Sequence, residues 1–197
     1  MATAVGKENR LRLAFARATW LVETRGAMDL NAEAPVDSTG VTSIGYFAVH
    51  DFARGITAAH AGDLEKARAA LGQLQARIAA ARETPPSENS AWTDVTAPNE
   101  LPEARILMAV LDGDVAFAEG RHATGIARVR DAIASTASWE FEYGPPWSVK
   151  PLEEVLGEML LADGQAAAAV SAFERTLVSY PNRRLALEGL AAARTAH

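Results

Sequence analysis

A chain of 197 residues, of which 49% are hydrophobic, is long enough for one substantial core. With 19 basic against 25 acidic residues, a net charge of -6 and no basic run longer than Arg183-Arg184, it lacks the cationic face that nucleic acid or an anionic membrane surface requires. The absence of cysteine removes thiolate catalysis, disulfides and zinc–cysteine sites together.

From Lys7 to Leu30 the chain is rich in Ala and Leu and free of Pro. Leu11, Phe15, Ala18 and Val22 recur at helical steps, so the stretch reads as one amphipathic helix, with Arg10, Arg12, Arg17 and Arg25 on its solvated face and rim. Lys7, Glu8 and Arg10 stand where a signal peptide needs apolar residues, and no later run approaches the ~18 apolar residues of a membrane span. A cytoplasmic protein is the expectation. Residues 31–43 collect Pro35, Asp37, Ser38 and Gly40 and read as a loop.

A helix follows from Ile44 to about Ala61, stops at Gly62 and restarts after Asp63, with Ala67, Leu71, Leu74 and Ile78 on one side as far as about Arg82. Residues 84–98 (TPPSENSAWTDVTAP) have no helical period and form a second long loop, which carries Trp92. Helix resumes near Asn99, pauses at Gly120 and continues to about Ser135. A third pair of helices occupies 150–180 and a last helix 182–196. Three pairs of glycines share one spacing, Gly55/Gly62, Gly113/Gly120 and Gly157/Gly164. The first of each pair lets the two helices of a hairpin approach, and the second ends a helix in the left-handed conformation.

The last copy is the most regular. Leu156-Gly157, Leu160, Ala169-x3-Phe173 and Pro181 stand at the spacings of the tetratricopeptide repeat, although Glu153 replaces its Trp and Leu160 its Tyr. The chain therefore resembles the tetratricopeptide repeat superfamily, and its end is similar to the C-terminal parts of larger bacterial repeat proteins. The copies lie 58 and 44 residues apart rather than 34, the excess falling in the loop around Trp92, in longer helices and in residues 139–150. The resemblance implies an all-α fold, a single domain over 1–197 built as a short right-handed stack of antiparallel hairpins with long insertions. It further implies a concave groove that holds a protein or peptide segment without catalysis or cofactor.

The groove residues that the resemblance implies are Phe52, Ile56 and His60 from the first hairpin, Asp114 and Phe117 from the second, and Glu154 and Glu158 from the third. The Lys, Arg and Asn set with which one subgroup clamps a chaperone's carboxyl terminus is replaced here by apolar and acidic residues. A ligand with apolar bulk and positive charge suits such a groove. Helical repeats also associate with themselves, which leaves a homodimer open.

A second reading, a small-molecule binder or an enzyme, rests on the aromatic insertions around Trp92 and Trp139–Trp147. In an extended Trp139-Glu140-Phe141-Glu142-Tyr143 the acids share one face about 7 Å apart, a separation suited to a general acid and base. Tyr143 and Trp147 would then line the pocket. His50, His60 and His122 form no i, i+3 or i, i+4 pair, so no metal site is expected. Gly120-x4-Gly125 imitates a phosphate-binding loop but is followed by Ile126-Ala127 in place of Lys-Ser/Thr.

Overall fold

The computed structural model describes residues 7–28, 43–83, 100–139 and 147–196; side chains are described from Arg12 onward, except those of Arg82 and Glu83. Among the described residues the regular structure is helical: α1 (Lys7–Glu23), α2 (Ile44–His60), α3 (Leu64–Glu83), α4 (Glu100–Ala118), α5 (His122–Ser135), α6 (Leu152–Ala162), α7 (Ala166–Ser179) and α8 (Arg184–Thr195). These eight helices pack in sequential pairs, as the hairpin reading requires. The chain divides into two compact units, Met1–Met108 and Ala109–His197, and the division falls inside α4.

In the first unit α2 and α3 form a hairpin, and α1 packs on α2. The side chains that α3 was expected to bury, Ala67, Leu71, Leu74 and Ile78, are all in the core, as are Ala48, Phe52, Ile56 and Ala59 of its partner α2. Ser43 caps α2 by accepting the Tyr46 N–H at 3.1 Å, and its hydroxyl donates to the Glu100 carboxylate at 3.0 Å. The backbone N–H of Gly45 reaches the same carboxylate at 3.3 Å, tying the start of α4 to the start of α2.

The first helix departs from expectation. It ends at Glu23 rather than near Leu30, because Arg25 (φ 51) and Gly26 (φ 81) turn left-handed and return N–H groups to Val22 and Leu21. Gly26 sits so close to Thr57 of α2 that an added Cβ would lie 2.5 Å from its methyl. The close fit leaves no room for a side chain at this turn.

In the second unit α6 pairs with α7, α7 with α8, and α5 packs on α6. The glycine spacing is realised in the backbone. Gly62, Gly120 and Gly164 all have positive φ (77, 86 and 75). The residue after each donates back to a carbonyl five residues earlier, Asp63 to Ala58, Arg121 to Ala116 and Gln165 to Leu160, at 2.8–3.0 Å, closing three identical helix caps. Two of the partner glycines, Gly113 and Gly157, mark close crossings. An added Cβ would meet Val129 at 2.9 Å from Gly113 and the Phe173 ring at 2.8 Å from Gly157. The Gly120-x4-Gly125 resemblance to a phosphate loop has the same origin: a Cβ on Gly125 would lie 2.5 Å from the Gly113 carbonyl, so this glycine serves the crossing of α4 and α5.

Candidate functional site

The sequence places Glu154 and Glu158 one turn apart on α6, and the structure joins them through two cations that the repeat pattern does not mark. Lys150, two residues before the helix, donates to Glu154 Oε1 at 3.0 Å and to Glu158 Oε1 at 2.9 Å. Arg183, just before α8, grips Glu154 with Nε at 2.5 Å from Oε2 and a terminal nitrogen at 3.1 Å from Oε1. Glu154 is fully buried and the Lys150 side chain is only 3% exposed, so both charges depend on this pairing. Burial by itself would pull the Lys150 ammonium down. Glu158 and Glu154 outweigh it and hold the group above its ordinary value.

That balance decides what the cluster can do. A lysine kept protonated cannot serve as a base or an amine nucleophile, and Glu154 spends both oxygens on its partners. The cluster locks the approach to α6 against the approach to α8. Glu158, 24% exposed, is its edge toward solvent. A hint of Lys150 was present in the sequence, since 150, 154 and 158 are spaced by four. Arg183, 29 residues from its partner, had no such local signal.

A second cluster lies at the turns of the same unit. The His122 ring stacks on Phe117, centroids 4.2 Å apart and planes within 14°. His122 Nδ1 lies 2.8 Å from Asp163 Oδ1, and Gln165 Nε2 donates to Asp163 Oδ2 at 2.7 Å. The amide of Gln165 and, after it, His122 draw the Asp163 carboxyl below its ordinary value. Asp163 thus orients an imidazole that is itself exposed, and Phe117 of the predicted groove set is its backing surface.

The remaining predicted residues are distributed differently. Phe52 (0% exposed), Ile56 (1%) and Asp114 (2%) are buried, whereas His60 is exposed at the end of α2. In the first unit the buried Asp51 accepts from Arg77 Nε at 2.9 Å, with the guanidinium 4.1 Å above the Phe47 ring and His50 Nδ1 3.7 Å away. This ion pair is satisfied within the helical pair. Of the alternative pocket, Trp147 is half-buried with its ring 5.5 Å from that of Trp139. Trp92, Glu140, Glu142 and Tyr143 lie outside the described residues. Among the described residues no three His, Asp or Glu side chains converge as a metal site, and no helix is long and apolar enough to cross a membrane.

The fold and these clusters define an all-helical protein whose helices pack in sequential pairs. Set against known protein families, curated proteins and solved structures, the chain matches none.

Proposed function

We propose that this chain is a tetratricopeptide-type scaffold, a short stack of helical hairpins that binds a protein or peptide segment and performs no catalysis. The observation that carries the reading is the thrice-repeated cap at Gly62, Gly120 and Gly164. One hairpin unit used three times is the construction of a repeat scaffold, and such scaffolds present side chains of successive first helices to a ligand. The Lys150 cluster supports it too, because its buried charges are paired with one another.

In the second unit the groove positions that keep access to solvent are Phe117, beside the oriented His122, and Glu158 at the edge of the Lys150 cluster. An aromatic face and a carboxylate suit a segment carrying an apolar side chain and a Lys or Arg. The test is affinity capture from a bacterial lysate on the wild-type chain and on Phe117→Ala and Glu158→Lys. A partner retained by the wild type and lost from both variants, each still helical by circular dichroism and melting cooperatively, is the expected result. Partners held equally by all three chains would remove the groove assignment.

A further inference from the structure

The sequence reading leaves the arginines of the first helix to solvent, but the structure gives that helix a second apolar stripe. Leu13 (39% exposed) and Trp20 (46%) are seven residues apart, hence about 20° apart around the helix and roughly 10 Å along it. Arg17 lies between them, four residues after Leu13 and three before Trp20, and exposed Ala16 borders the stripe. The buried side of α1, formed by Ala14, Ala18, Leu21 and Val22, packs elsewhere, so Leu13 and Trp20 contribute little to the core. Met28, 44% exposed, continues the apolar exposure beyond the turn at Gly26.

Charge is segregated here. Residues 7–28 hold five cations (Lys7, Arg10, Arg12, Arg17, Arg25) and two acids (Glu8, Glu23), a balance of +3 in a chain whose total is -6. The rest of the protein is therefore acidic by nine charges, and this basic stretch carries the most exposed tryptophan among the described residues. We infer that the outward face of α1 is a docking site for an acidic peptide segment carrying aliphatic or aromatic side chains, laid along Leu13 and Trp20 with its carboxylates toward Arg12. An anionic membrane fits less well. The widest apolar side of α1 is already buried, and the remaining -9 opposes adsorption to a negative surface. This site is separate from the groove of the second unit and goes beyond that reading.

The experiment is a selection of displayed random 16-residue peptides on the full chain, followed by titration of the enriched peptides. The expected result is enrichment of net-acidic sequences with apolar residues at helical spacing, whose Kd rises at least tenfold on Trp20→Ser and on Arg12→Glu. Arg12 is exposed and Trp20 is 46% exposed, so each variant should keep its helical circular dichroism and a cooperative melt. Enriched peptides that are neutral or basic, or that keep their affinity for both variants, would overturn the inference. So would peptides lost only on Glu158→Lys, which would instead support the groove. Binding to phosphatidylserine vesicles that Trp20→Ser abolishes would assign the face to lipid. A dimer seen by light scattering and dissolved by Trp20→Ser would assign it to a second copy, and either result would sink the peptide proposal.

Discussion

The Phe173 ring is held between two glycines, which permits a quantitative test of the packing in the second unit. An added Cβ would lie 2.8 Å from the ring on Gly157 of α6 and 2.4 Å from it on Gly189 of α8. Carbon atoms prefer about 3.5–4.0 Å. The ring cannot yield to either methyl without moving toward the other backbone. Exchange of Gly for Ala inside a helix by itself favours folding by about 1 kcal/mol, while forcing a methyl into a filled core costs about 1–3 kcal/mol. The second effect wins at the shorter distance. Gly189→Ala is expected to lose up to about 2 kcal/mol net and Gly157→Ala somewhat less. Gly72 of α3, exposed with nothing within 4 Å of its added Cβ, is the internal control, and Gly72→Ala should gain about 1 kcal/mol.

Urea midpoints at constant m-value, together with thermal melts, would read these changes, each kcal/mol being worth about 2–4 °C at this chain length. Phe173→Leu, combined with Gly189→Ala, should recover part of the loss, giving a coupling of about 1 kcal/mol. Should Gly189→Ala stabilise as much as Gly72→Ala, the ring is not clamped and the reasoning fails.

Glu154→Leu takes one of two carboxylates from the buried Lys150 and the bidentate partner from Arg183, and should cost up to about 3–5 kcal/mol in urea unfolding; a loss below 1 kcal/mol would show that water reaches the site. Because the folded Lys150 group is raised, its stabilisation is complete below 10.5 and is lost as pH climbs through the higher folded value. Wild-type melting temperature should therefore fall above pH 10.5 more steeply than that of Lys150→Met. Asp163 is lowered, so its contribution is present above 3.8 and lost as pH drops through the folded value. The acid limb of the melting curve should be shallower for Asp163→Asn. Ser43→Ala, which removes the cap of α2 and the hydroxyl that donates to Glu100, should cost about 1 kcal/mol. An unchanged midpoint would mean that Glu100 takes over the cap.

Helix content and the hairpin punctuation were legible because both are local. The period of Ala67, Leu71, Leu74 and Ile78 states which side of α3 is buried, and a glycine seven residues after another marks where the first helix must turn. The end of α1 was misplaced by seven residues, since Ala27, Met28 and Leu30 continue an acceptable helical composition, whereas the backbone turns left-handed at Arg25 and Gly26, where Gly26 fits against Thr57. The candidate site was half legible: Glu154 and Glu158 lie at marked repeat positions, while their cations do not.

The sequence by itself determined an all-helical chain, the order and pairing of its helices and the glycines at their turns, because periodicity and backbone conformation are properties of neighbouring residues. Tertiary structure alone decided which of the marked positions are core and which are surface. It took Phe52 and Ile56 out of solvent, drew Arg183 to Glu154 across 29 residues, set His122 between Phe117 and Asp163, and left Leu13 and Trp20 uncovered. Each of these depends on a distance between helices, and no local pattern of residue types encodes such a distance.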